Sequence, residues 1–243
     1  MNPVLVITLF VIEAILGGWY IKAGFPKVTM TALSVKIAAG VVFVVNGYFA
    51  YLTVGKTAYG LTIVLALIFG LIGDAFLSFE PLFKDEDATK KNKIIICTII
   101  GAAFFLIGHL LYMYAYGQEI RAVKGGHLGL FLIIWAVTIT TAIIIKFAIK
   151  LKMGKFAFPI LAYALTLSAM FALAVTLSVL GYKGEYLKQA VLICAALCFV
   201  VSDSSLAMRF FDKKYHTLKH RTLTLTTYYA AQMLFGLSVY LIK

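Results

Sequence analysis

The sequence predicts an all-α fold, a polytopic membrane bundle of about eight transmembrane helices, and three observations carry that reading. Of 243 residues, 63% are hydrophobic and only 13% charged, where a soluble domain keeps roughly a quarter of its residues charged. The charges gather between long apolar runs instead of spreading through them. Eight such runs occur, each close to the ~20 residues that cross a hydrocarbon core of ~30 Å at 1.5 Å per residue. In hydrocarbon a backbone must satisfy its hydrogen bonds within its own segment, so these runs become helices.

The runs cover residues 3–20, 31–53, 59–79, 94–116, 127–149, 156–180, 188–211 and 222–242. The connections are too short for a separate soluble domain, so one integral-membrane domain over residues 1–243 is expected. The first run lacks a basic leader and a small-residue cleavage site and carries Glu13, which favours a retained span over a signal peptide. Cys97, Cys194 and Cys198 fall inside apolar runs and form no disulfide or metal pattern.

Basic residues set the orientation. Loops one, three, five and seven, with their helix ends, hold 16 of the 22 Lys and Arg residues, among them Lys22, Lys27, Lys84, Lys90, Lys213 and Arg221. The other side holds six: Lys56, Arg121, Lys124, Lys183, Lys188 and Lys243. The odd loops are therefore expected in the cytoplasm and both termini on the non-cytoplasmic side. The membrane is the cytoplasmic membrane in a bacterium and the endoplasmic reticulum in a eukaryote. A formal charge of +12 then matches the anionic headgroups of the lipid bilayer at the cytoplasmic leaflet. No base-stacking platform or RNA-binding signature points to nucleic acid.

A faint echo links the halves. Gly73-Asp74-Ala75-Phe76-Leu77-Ser78 in the third run and Ser202-Asp203-Ser204-Ser205-Leu206-Ala207 in the seventh share a small-Asp-x-x-Leu-small pattern. Four runs separate them, which is the spacing of a direct 4+4 repeat about an axis along the membrane normal. Such an axis would bring Asp74 and Asp203 together.

A mid-span aspartate costs roughly 2.5–3.5 kcal/mol on insertion scales, so it is expected to serve a function or hold a partner. Asp74 lies five residues before Phe79 and Asp203 eight before Phe211, which places both ~8–12 Å beneath the cytoplasmic boundary. Lys36, Glu13 and the pair Tyr228-Tyr229 fall in the same layer, and Gln232 extends the tyrosine face inward. The bland alternatives are an ion-pair cluster for the aspartates and outward snorkelling for Lys36. His109 lies fifteen residues after Ile94, ~22 Å from the cytoplasmic side, on one face with Phe105, Tyr112 and Tyr116. It lines the bottom of a deep cavity or serves as a structural hydrogen-bonding group. His216 and His220 form an HxxxH pair among lysines with no carboxylate beside it, so no metal site is expected there.

At these residues the chain resembles the YhhN family of membrane lysoplasmalogenases. The resemblance rests on LIGDAFLSF (Leu71–Phe79), FLIGHLLYMYAYG (Phe105–Gly117), SDSSLAMRFF (Ser202–Phe211), TYYAAQMLFGLS (Thr227–Ser238) and Lys36. It implies an eight-span hydrolase that cleaves the vinyl-ether bond of a lysophospholipid substrate, giving a fatty aldehyde and a glycerophospho-base. It further implies Asp74 and Asp203 as the catalytic pair, with Lys36, His109, Tyr112, Tyr228, Tyr229 and Gln232 as substrate-binding candidates. The chemistry suits two carboxyl groups. Cleavage starts with a proton on the alkene carbon and passes through an oxocarbenium ion, as in glycosidases. One carboxyl gives the proton, the other stabilises the cation and activates water, and neither metal nor organic cofactor is required. Lys36 would hold the substrate phosphate or tune an aspartate. Two rivals exist. An intramembrane aspartyl protease would carry GxGD, which needs glycine where Leu71 stands. A transporter or proton-coupled channel could use the same buried Asp, Lys and Tyr groups, though no proline breaks a helix beside either aspartate.

Overall fold

The computed structural model describes residues 3–25, 28–79, 88–123 and 125–242, with the side chains of 79, 88–94 and 155 excepted. Among the described residues there is no strand. The long helices are α1 (Pro3–Ala23), α2 (Met30–Thr53), α3 (Ala58–Phe79), α4 (Ala88–Ile120), α5 (His127–Ala148), α6 (Ala157–Thr176), α7 (Tyr186–Phe211) and α8 (Leu218–Leu241). Threonines open three of them. Thr29 accepts from the Ala32 amide, Thr57 from Gly60 and Thr217 from His220, each covering an amide that the first turn leaves free. The turn between α2 and α3 uses Gly55 at φ +91°, a conformation open to glycine. A five-residue π turn, Leu177–Gly181, ends α6.

Among the described residues seven helices are long and apolar enough to cross a membrane, and α8 is not among them. The reason lies in its position. At 24 residues α8 is of spanning length, and thirteen of its side chains, including Arg221, Thr224, Tyr228, Tyr229 and Gln232, are buried against other helices. A helix enclosed by protein can carry polar groups that lipid would reject. The opposite case is α5, which among the described residues has no buried residue and packs chiefly on α6. Its Ile133, Val137 and Ile144 are exposed, as befits a lipid-facing helix. Where spans carry hydroxyls, these turn back on their own helix: Thr62, Thr176 and Ser178 each donate to the carbonyl four residues earlier.

Packing follows the echo in the sequence. In the first half α1 packs on α2, α2 on α3, and α3 closely on α4; in the second α5 packs on α6, α6 on α7, and α7 closely on α8. The halves cross-connect reciprocally, α2 with α8 and α6 with α4. These neighbour relations are those of a direct 4+4 arrangement. The departures are α1 and α3, which also pack on α8 without a matching close contact of α5 or α7 on α4 among the described residues. The loop that follows α3, with Lys84, and the residues Lys27, Lys124 and Lys243 lie outside the described residues.

Candidate active site

Asp74 owes its inward position to a close helix crossing. A Cβ on Gly73 would lie 2.9 Å from the Gly101 carbonyl oxygen, and one on Gly101 would lie 3.0 Å from that of Gly73. With α3 and α4 in backbone contact, Asp74 turns to α2. There the Lys36 ammonium lies 2.6 Å from Asp74 Oδ1 and also donates to the Asp74 carbonyl at 3.3 Å. Ser78 donates to that carbonyl at 2.6 Å. Both charged side chains are buried, so Lys36 does not snorkel to the headgroup level.

Asp203, on α7, has a different set of partners. The Tyr163 hydroxyl of α6 donates to Asp203 Oδ2 at 2.5 Å. His109 Nε2 of α4 lies 3.0 Å from the Tyr163 oxygen and 3.4 Å from Asp203 Oδ2. With the Tyr163 hydroxyl donating to Asp203, Nε2–H is the tautomer that completes the triangle. The imidazole sits edge-on to Phe199, ring centres 4.7 Å apart. The His109 Nδ1 is buried without a partner.

The depth counted along the sequence put His109 well beyond Asp203, and the structure corrects this. Helix α4 has 33 residues, ~50 Å at 1.5 Å per residue, far more than the hydrocarbon core needs. The excess tilts or projects, and each residue then gains less depth than an upright count assumes. The shared face holds: Phe105, His109, Tyr112 and Tyr116 are all buried.

No hydrogen bond or ion pair joins Asp74 to Asp203. Phe105, Phe199 and Tyr228 form an edge-to-face trio, with ring centres 5.8–6.2 Å apart. Tyr228 donates to the Gly70 carbonyl at 3.3 Å and accepts from Gln232 Nε2 at 3.2 Å, and Tyr112 donates to Gln232 Oε1 at 2.8 Å. So Tyr112, Gln232 and Tyr228 form one string. Tyr229 faces away, toward α1, where a Cβ on Gly17 would lie 2.9 Å from its ring. Its hydroxyl and both carboxyl oxygens of Glu13 are buried with no partner.

Two participants escaped the sequence reading. Tyr163 lies six residues into α6, ~9 Å along the helix, a depth comparable to that of Asp203; the same depth count applied to the sixth span would have found it. Arg221 was assigned to a loop, yet it is buried in the first turn of α8. The HxxxH histidines are separately engaged. His216 Nε2 bonds to the Arg209 carbonyl, and the His220 ring packs edge-on to Tyr215. Among the described residues no three His, Cys, Asp or Glu side chains converge. A cavity of about 370 Å³ lies at the far end of α4, lined by Glu119, Val123, Leu177, Gly181 and Tyr182, away from both aspartates.

The model of the YhhN family matches residues 31–239, most of the chain. The chain belongs to the YhhN family. The match takes in both aspartate centres, with Lys36, His109 and Tyr163, and begins after α1, so Glu13, Gly17 and Tyr20 lie outside it. No curated protein and no solved structure matches the chain. YhhN membership is consistent with a lysoplasmalogenase-like hydrolase.

Proposed function

We propose that this YhhN-family chain hydrolyses the vinyl-ether bond of a lysophospholipid, with Asp203 as proton donor and Asp74 as the carboxylate that activates water. The observation that carries the reading is the unequal setting of two aspartates, Asp74 buried and Asp203 partly buried, within a family match. Asp74 lies 2.6 Å from the Lys36 ammonium, an arrangement suited to the carboxylate that the reaction needs to stabilise a cation. Asp203 Oδ2 is engaged by a tyrosine hydroxyl and an imidazole, while among the described residues no hydrogen bond reaches Oδ1, the oxygen to which the proposal gives the proton.

The steps balance. Asp203 gives its proton to the alkene carbon, and the ether carbon becomes an oxocarbenium ion beside the Asp74 carboxylate. A water oxygen bonds to that carbon as Asp74 takes its proton, giving a hemiacetal. Asp74 then protonates the glycerol oxygen as the carbon–oxygen bond breaks, and the hemiacetal hydroxyl returns its proton to Asp203. One water is consumed, and a fatty aldehyde and a glycerophospho-base leave. Two carboxyls that do not touch suit this sequence, since water must stand on the substrate between them, as in inverting glycosidases. The expected orientation, with odd loops and the Lys36 end of the bundle facing the cytoplasm, belongs to the same proposal.

The test is hydrolysis of 1-alkenyl lysophospholipid by purified protein in D₂O, with the aldehyde trapped as it forms. The proposal predicts one deuterium on the carbon next to the carbonyl. Release of fatty acid from ester lysophospholipids with no aldehyde from the vinyl ether would overturn it.

A further inference from the structure

Arg221 is a buried cation that the chemistry above leaves unused. Its guanidinium is held on one edge. Nε donates to the Ile21 carbonyl at 3.3 Å and Nη2 to the Tyr20 carbonyl at 3.2 Å, so the side chain caps the end of α1, where the helix dipole favours a cation. Its central carbon lies 4.5 Å from the centre of the Tyr20 ring. Gly24 leaves it room: a Cβ there would come within 2.2 Å of Nη2.

The other edge is free. Among the described residues Nη1 makes no hydrogen bond, and it is not sealed from its surroundings. No carboxylate pairs with Arg221 among the described residues. Lys36 lies 5.6 Å from the same Tyr20 ring, but its charge is balanced by Asp74. Glu13 shares the α1 face with Gly17, Tyr20 and Gly24, yet stands seven residues before Tyr20, ~10 Å deeper. Among the described residues Arg221 is therefore a buried cation with no carboxylate beside it, and it presents a planar pair of N–H donors fixed in direction. That is the geometry that binds phosphate oxygens.

We propose that the Nη1 edge of Arg221, and not Lys36, binds the phosphodiester of the lysophospholipid headgroup. The inference rests on the lysophospholipid reading above. Arg221 precedes Tyr228 by seven residues on α8, ~10 Å. A phosphate held there extends the short glycerol backbone toward Tyr228 and the paired Asp74, with the alkenyl chain beyond.

Binding tests this without turnover. Purified full-length protein in detergent is titrated with a saturated, uncleavable 1-O-alkyl lysophosphoethanolamine, with 1-O-alkylglycerol, and with water-soluble glycerophosphoethanolamine. Arg221→Gln is expected to weaken the phosphate-bearing lipid by about 10- to 100-fold, the scale of a charged hydrogen bond, and to leave alkylglycerol unchanged. Arg221→Lys should recover part of the loss. Gly24→Ala, which displaces the guanidinium without removing it, should reproduce the selective loss and serves if Arg221→Gln unfolds. Equal weakening of both lipids, or none, would overturn the proposal and leave Arg221 as a helix cap. Glycerophosphoethanolamine binding as tightly as the lipid would overturn the lipid-headgroup assignment. A protein that binds by this pattern yet releases no aldehyde from vinyl ethers overturns the hydrolase reading alone.

Discussion

Replacing Lys36 by Met removes one partner of the ion pair with Asp74 and should be the most destabilising single change at the site. At 2.6 Å two unit charges attract by about 6 kcal/mol at an effective dielectric near 20. Desolvation offsets much of that in the intact pair. It does not disappear when one partner is removed, and breaking a buried pair costs about 3–5 kcal/mol. For a chain of this length each kcal/mol moves the midpoint by roughly 2–4 °C, so Lys36→Met should unfold roughly 10 °C lower in detergent. The double variant Lys36→Met/Asp74→Asn carries no charge at the pair and should recover most of the loss. The assay is thermal unfolding followed by the fluorescence of Trp19 and Trp135. Losses that simply add in the double variant would refute the coupling. Lys36 is bound to Asp74, and if Arg221 takes the headgroup phosphate as proposed, Lys36→Met should lower kcat and leave KM nearly unchanged.

Tyr163→Phe deletes the 2.5 Å donor to Asp203 and should slow aldehyde release by about 10- to 100-fold, as loss of a hydrogen bond to the carboxylate that Asp203 becomes on giving up its proton implies; a normal rate would remove Tyr163 from the site. Gly17→Ala forces a methyl to within 2.9 Å of the Tyr229 ring and should cost about 1–3 kcal/mol by overpacking, read as a lower unfolding midpoint. Cysteines placed at Lys213 and Lys214, exposed at the end of α7, should be labelled only from the cytoplasmic side and a C-terminal tag only from the other. Labelling of the tag from the cytoplasm would reverse the orientation.

The helices were legible because period and length are properties of single segments. Apolar runs of spanning length led directly to eight helices, and the Asp74 and Asp203 echo anticipated the reciprocal packing of α2 with α8 and α6 with α4. Partnership was less legible, because it depends on which helices meet. Symmetry suggested that the two aspartates join, whereas Lys36 and Tyr163, each on the second helix of its half, claim one aspartate apiece. Depth was least legible. The count along α4 misplaced His109, since a helix of 33 residues cannot stand upright inside a ~30 Å core. Arg221 read as a loop charge because nothing in its own segment reveals that the end of α1 folds over it.

The account turns on two carboxyl groups that must titrate. Aldehyde release from 1-alkenyl lysophospholipid, measured for Asp74→Asn and Asp203→Asn at matched unfolding behaviour, tests this most directly. Each variant is predicted to fall at least ~100-fold, the scale of a lost general acid or base, with the double variant scarcely worse than either single because the two groups act as one unit. Near-normal release by a well-folded Asp203→Asn protein would contradict the account and leave the aspartates as structural members of the bundle.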